Sequence, residues 1–332
     1  MNKPFIVITT INNPTEAVIK FAALNDYKLI VVGDKKTPRN WQVQNVVYLA
    51  VDDERCSKYQ LNEILPFNHY SRKMLGYLHA IAAGAQNIID TDDDNIPKAD
   101  WQFPPYTGIQ DTTDEDMGFI NVYQYYTSQK IWPRGLPLRL INTNFNFDKK
   151  VKKIKATVGI WQGLADEDPD VDAIYRLTDN RLCIFDEKDP LVLAKGTLSP
   201  FNTQNTIICK ELFPLLYLPT YVTFRFTDIL RGLIAQPIMW QNQYQLGFIN
   251  ATVIQKRNVH DFYQDFISEI PMYEFTDKVM EITNAAIKTG ESIADSLHSV
   301  YEGLLKNAIV KKEEIKTLEA WLKDIESLNG GK

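Results

Sequence analysis

The chain has 332 residues, 45% of them hydrophobic and 11% aromatic, enough apolar side chain for at least one large core and too much for extended disorder. Its formal net charge of -6 excludes a generic duplex-binding face, which needs concentrated basic charge, so no nucleic-acid partner is expected. Cys56, Cys183 and Cys209 form neither a CxxC pair nor a zinc-like cluster, FIVITT follows the N-terminus too closely for a signal peptide, and no run approaches the roughly 18 to 20 apolar residues of a membrane span; the expectation is a cytoplasmic protein with no transmembrane segment.

In chain order, residues 5–10 (FIVITT) and 28–32 (KLIVV) read as strands around a helix over 15–24, a β-α-β unit. The second strand stops at Gly33-Asp34, a loop follows through Pro38, and 46–49 (VVYL) is a third strand. Residues 69–85 have helical spacing, with Met74, Leu75, Leu78, Ile81 and Ala82 on one face. That helix feeds IIDTDDDN, residues 88–95, where an apolar strand ends in an aspartate cluster. In doubly wound α/β sheets, ligands collect outside the carboxyl ends of strands, so the cluster occupies a site position.

Further on, 118–126 (GFINVYQYY) reads as a strand and 133–146 as irregular loop with short extended pieces. Residues 214–240 combine a Pro-rich approach with a helix, DILRGLIAQPIMW, interrupted at Pro237, and 248–253 (FINATV) resembles a strand. From about residue 276 the chain turns to three helical stretches, 276–288, 291–308 and 312–327. The expected division is a catalytic domain over 1–275 and a helical extension over 276–332, whose apolar spacing predicts packing within the chain or in a homodimer.

Asp90, Asp92, Asp93 and Asp94 lie within five positions. Carboxylates this close repel, and burial raises the cost, so an ionised cluster at a strand end calls for a compensating charge, most economically a divalent cation. Hard oxygen donors suit Mg2+ or Mn2+, and a nucleoside diphosphate would complete the shell. The alternative is a solvated acidic turn or helix N-cap. Arg72, Lys73, Lys35 and Lys36 are the nearby cations, each equally readable as a surface charge. No GxxxxGK[ST], no GxGxxG after the first strand, no GxSxG and no HExxH is present, which weakens the common NTPase, dinucleotide-binding, hydrolase and zinc-protease readings.

The stretches VITTINNPTEAV, VVGDKKTP, YSRKMLGYLHAIAAGAQNIIDTDDDN, QGLADEDPDVDAIYRLT, NTQNTIICKELFPLLYLPTYVTFRFTDILRGLIAQPIMW and VIQKRNVHDFYQDFISEIPMYE together resemble the STELLO family of glycosyltransferases over about residues 5 to 275. A weaker similarity runs to the reversibly glycosylated polypeptides, mutases acting on UDP-arabinose. Both resemblances imply an α/β, Rossmann-like nucleotide-sugar-binding fold of the glycosyltransferase A type, here with a C-terminal helical extension. They imply a DxD element at Asp92-Asp93-Asp94, with Asp90 as the register alternative, binding a nucleotide-sugar donor with Mn2+ or Mg2+.

By position, Thr9, Thr10, Asn12 and Asp34 would line the nucleoside pocket, and Arg72 and Lys73 would reach the base or phosphates. Asp92 and Asp93 would contact the donor, Asp94 with Asp92 would hold the metal, and His260 in RNVHD would be a further ligand. A lone histidine is otherwise more often structural. Asp228 in FTDILRG is the expected general base toward a glycan or other acceptor hydroxyl, with a helix N-cap as its bland reading. Asp166 and Asp172 are competing acids, Arg176 a candidate donor contact, and Trp161 and Gln162 candidate sugar contacts. The expected activity is transfer of a sugar, UDP-linked, in glycan or polysaccharide synthesis. The alternatives are a nucleotide-sugar mutase and a non-catalytic scaffold of a polysaccharide-synthesising assembly.

Overall fold

A computed structural model describes residues 3–147, 150–256 and 261–329. The first half alternates strands and helices: β1 (Phe5–Thr9), α1 (Glu16–Ala22), β2 (Lys28–Val32), β3 (Val46–Leu49), α2 (Gln60–Ile64), α3 (Lys73–Ala82) and β4 (Asn87–Thr91). Then come β5 (Asn95–Pro97), β6 (Thr107–Thr113), β7 (Gly118–Phe119), α4 (Tyr123–Tyr126), β8 (Val151–Glu167), α5 (Ala173–Thr178), β9 (Leu191–Leu193), β10 (Thr197–Leu198) and β11 (Asn205–Cys209). The chain finishes with α6 (Thr227–Gln241), β12 (Gln245–Gln255), α7 (Phe262–Ala286), α8 (Ile293–Lys306) and α9 (Lys312–Asn329).

Ten strands form one mixed sheet in the order β3-β2-β1-β4-β11-β8-β6-β9-β12-β5, with β8 also paired to β12. The β3-β2-β1-β4 half is parallel, and β11 runs antiparallel to both β4 and β8. This is the α/β class with C-terminal helices that the sequence predicts.

Strands β1, β2 and β4 are buried on both faces, which is why they read as apolar runs rather than alternating ones. Phe5 and Val7 of β1 join the core beneath α3 and α6, while Ile6 and Ile8 join the opposite core with Val18, Phe21, Trp41 and Trp101. Gly76 lets α3 approach closely: a Cβ there would stand 2.6 Å from Val7 and 2.7 Å from Val32.

Three expectations change. Residues 118–126 are not one strand: β7 stops at Phe119, because the Asn121 side chain accepts the Tyr123 N–H and donates to the Ile131 carbonyl, closing a turn that starts α4. The apolar run misleads because Ile120, Val122 and Tyr126 are all buried. Helix α6 is not interrupted at Pro237; it runs through it, buried along almost its whole length, with the Gln236 amide donating to the Gly232 carbonyl (3.0 Å). Residues 69–72 enter α3 through a 3-10 turn at Tyr70–Arg72.

The C-terminal helices lie on the α/β body. Helix α7 is continuous across residues 275 and 276 and packs on α5 and α6, while α9 packs on α2 and α3. Three acidic side chains join them to it by accepting backbone N–H groups. Glu269 takes Ala173 (2.7 Å), Glu314 takes Thr220 (2.8 Å) and Tyr221 (2.7 Å), and Asp324 takes Gln60 (3.0 Å) and Leu61 (2.9 Å). Among the described residues no helix is long and apolar enough to cross a membrane.

Removing a buried acceptor leaves its donors without partners, at about 1–3 kcal/mol per buried group. Glu314→Ala is therefore expected to lower the unfolding free energy by about 3 kcal/mol in urea titration; a loss under about 0.5 kcal/mol would mean that water satisfies those amides. Asp172 caps α5 by accepting the Tyr175 N–H (2.9 Å) and also accepts from Trp132 Nε1 (2.8 Å). Burial pushes its carboxyl up to about 6 from an ordinary 3.8 despite those two donors. The folded state thus holds this proton more tightly than the unfolded chain. The Asp172 contribution falls as pH rises from about 4 to about 6 and is flat above. Against Asp172→Asn, which does not titrate, the parent should lose on the order of 2 kcal/mol across that window. A pH-independent difference would contradict this.

Candidate active site

Because β1, β2 and β4 are parallel neighbours, their carboxyl ends open at one edge of the sheet. Thr9 and Thr10 leave β1 there, Asp34 follows β2, and Asp92, Asp93 and Asp94 follow β4. Strand β11 begins at the same edge, so Asn202, Thr203 and Gln204 stand beside the aspartates. Across from them α6 begins, carrying Asp228 in its first turn. All of these line one cleft of about 440 Å³.

The four aspartates separate by direction. Asp90, inside β4 and fully buried, pairs with Lys73 of α3 (2.6 Å) and Arg231 of α6 (2.9 Å). Asp92 shares Lys73 (2.9 Å) and accepts from the Tyr70 hydroxyl (2.8 Å). Asp93 turns to the end of β1, accepting from Thr10 (2.5 Å) and Asn12 (3.1 Å). Asp94 accepts from the Gln255 amide (3.2 Å) at the end of β12.

Burial pushes the Asp92 carboxyl up to about 6; Lys73 opposes this, and the nearby Asp94 and Asp90 add to it. For Lys73, burial disfavours the ammonium, but Asp90 and Asp92 outweigh it and hold the pKa above the usual lysine range. Asp92 and Asp94, two residues apart on the cleft wall, are an oxygen-only pair suited to a hard cation such as Mg2+ or Mn2+, whose remaining positions water and phosphate oxygens would fill. Among the described residues no group of three or more His, Cys, Asp or Glu side chains could hold a metal. His260 lies outside the described residues.

The opposite wall is a second ion-pair network. Arg134 donates to Asp170 through Nε and Nη2 (both 2.8 Å) and to Asp228 through Nη1 (3.0 Å) and Nη2 (2.8 Å). Its fifth N–H goes to the Arg225 carbonyl, so every donor of the guanidinium is committed within the wall. Asp228 is thereby fixed in orientation by a bidentate pair, and it also sits where the N-terminal dipole of α6 favours a carboxylate. Arg225 continues the network to Glu269 of α7 (2.9 Å).

The cleft brings together Thr9, Thr10, Asn12, Asp34, Asp92, Asp93, Asp94 and Asp228. Arg72, Lys73 and Arg176 are not on its wall. Arg72 is buried behind Asp34 (3.7 Å) and over the Phe67 ring, and Lys73 lies beneath the aspartates as their internal counter-ion. Arg176 ties its own loop, through Asp168 and the Pro169 carbonyl (2.8 Å). Asp166 pairs with Lys98 (2.6 Å), Trp161 is core, and Gln162 binds Asn202 rather than facing the opening.

Tyr70, His69, Arg134, Asp170, Phe224, Arg225 and Gln255 also line the cleft and were not singled out by sequence. Asp170 stands in a run with acids at 166, 168, 170 and 172, and its partners Arg134 and Asn202, 36 and 32 residues away in sequence, distinguish it.

Comparison with known proteins places these features in a group. The family model described as STELLO glycosyltransferases matches residues 225–330, which take in Asp228, Arg231 and the C-terminal helices. Two Arabidopsis thaliana proteins, "Probable glycosyltransferase STELLO2" and "Probable glycosyltransferase STELLO1", are each 26% identical over 97% of this chain. The chain spans less than half their length, 44% of each. A crystal structure of a mycobacterial protein overlays with a TM-score of 0.40 and 11% identity, over 87% of this chain and 76% of that one. By the family model over residues 225–330 and these two alignments, the chain is similar to the STELLO glycosyltransferases.

Proposed function

We propose that the chain transfers a sugar from a UDP-linked donor to an acceptor hydroxyl of a glycan, at the edge where β1, β2 and β4 end. The observation that carries this reading is the meeting, in one cleft, of the aspartate strand end, the β1–β2 ends and an oriented carboxylate on the facing wall. The nucleoside would lie against Thr9, Thr10, Asn12 and Asp34, with the diphosphate at Asp92 and Asp94. A bound Mg2+ or Mn2+ held by those two carboxylates would offset charge on the departing diphosphate.

Asp228 is the proposed general base. The acceptor oxygen attacks the anomeric carbon, the bond from that carbon to the diphosphate oxygen breaks, and the hydroxyl proton passes to an Asp228 oxygen. Arg134 holds the carboxylate in place without itself reaching the ligand, since its donors are all used. Lys73 and Arg231 keep Asp90 compensated from below.

Calorimetric titration with UDP and UDP-sugars, with and without Mn2+, tests the donor side. Binding should depend on Mn2+, and Asp94→Asn should weaken it by roughly tenfold or more. Metal-independent binding that ignores the substitution would sink the reading. Asp228→Asn is expected to bind UDP like the parent and to slow transfer by about a hundredfold or more, the usual scale of general-base loss. Undiminished transfer would retire Asp228 as the base, and product formed from UDP-sugar alone would replace transfer with ring isomerisation.

A further inference from the structure

At the nucleoside end of the cleft the chain offers a paired acceptor and donor. The Asp34 carboxylate accepts the Lys35 N–H (2.7 Å) on Oδ1 and the His69 backbone N–H (3.2 Å) on Oδ2, which Arg72 Nε also faces at 3.7 Å, so that Oδ1 keeps a second acceptor position. His69 lines the same cleft. Its Nδ1 accepts the Ser71 backbone N–H (3.2 Å) and lies 2.7 Å from the Ser71 hydroxyl. A backbone N–H can only donate, so Nδ1 carries no proton and the neutral ring holds it on Nε2. Burial holds the imidazole below the usual histidine range, against the pull of Asp34, which favours that neutral form. Among the described residues Nε2 makes no hydrogen bond, and it is not one of the buried polar atoms lacking a partner, so this donor is solvent-accessible on a residue that lines the cleft.

Resting on the donor-site reading above, we infer that His69 is a base-selecting residue: Asp34 accepts the N3–H of uracil while His69 Nε2–H donates to the adjacent O4. Cytosine in the same position would set its N3 lone pair against the Asp34 carboxylate and its amino group against the Nε2–H. Both contacts are mismatched, and sites built around hydrogen bonds reject such analogues strongly because their own polar groups are left unpaired.

Titration of the full chain with UDP and CDP in Mn2+ buffer tests this, using two His69 variants chosen by reach. His69→Asn keeps an acceptor for the Ser71 N–H but is too short to present the donor, whereas His69→Gln places an amide N–H near the Nε2 position. The parent should prefer UDP over CDP by about tenfold or more. In His69→Asn, UDP affinity should fall about tenfold with no loss of CDP affinity, so that only the part of the preference supplied by Asp34 is left. His69→Gln should keep most of the preference. Equal binding of UDP and CDP by the parent, a preference undiminished in His69→Asn, or equal weakening of both nucleotides would each overturn the inference. Failure of the parent to bind any nucleotide is a different result and overturns the donor-site reading itself.

Discussion

The ion pairs that Lys73 and Arg231 make with Asp90 are the constraint on which the rest of the cleft depends. Asp90 is fully buried inside a central strand, where an unpaired carboxylate would cost several kcal/mol. One cation comes from α3 and the other from α6, so a single carboxylate fixes two helices on the same face of the sheet. Asp92 takes the remaining reach of Lys73. With that charge settled internally, Asp93 can tie the β1 end, and the run can present carboxylates at the opening without a surface rich in arginine and lysine.

The two walls are joined by a short hydrogen-bonded chain. The Tyr70 hydroxyl donates to Asp92 and lies 2.6 Å from Thr203 Oγ1, the preceding residue, Asn202, donates to Asp170 (2.7 Å), and Asp170 holds Arg134 with Asp228. Burial and the adjacent aspartates hold the Tyr70 phenol well above its usual range, so it stays a donor. The separation between the acidic strand end and the facing carboxylate is therefore set by side chains from four segments, not by the loops alone. Phe224, packed edge to face on Tyr70 at 5.8 Å between ring centroids, closes that arrangement on the solvent side.

Much of the parallel half was legible because its signals are local. The runs at β1, β2, β3 and β4 are apolar on both faces, and Thr15 caps α1 where its position says it should. The aspartates could be placed at a strand end for the same reason. What was not legible depended on distant partners. Arg72 and Lys73 look like surface cations until β4 and Asp34 are packed against them, and Asp170 is indistinguishable from Asp166 until Arg134 arrives from a segment with no regular pattern. Strand β8 was missed because its first half is lysine-rich and exposed while its second half is buried, so no single period covers it.

Helix α2 shows the same dependence at a helix end. Tyr59 precedes it with no side-chain cap, where Ser, Thr, Asp or Asn would ordinarily stand, and its first N–H groups are closed instead by Asp324, 264 residues later in the chain. Helix α5 has a cap of its own in Asp172 and a second from Glu269, and Glu314 does the same for the turn at Thr220 and Tyr221 that leads to Phe224. The last helices thus act as prosthetic caps for elements made much earlier. Helix α2 is thereby released from carrying a helix-start residue of its own. Translated from its N-terminus, the chain would hold α2 and the rim of the cleft as unfinished turns until its final helix had formed.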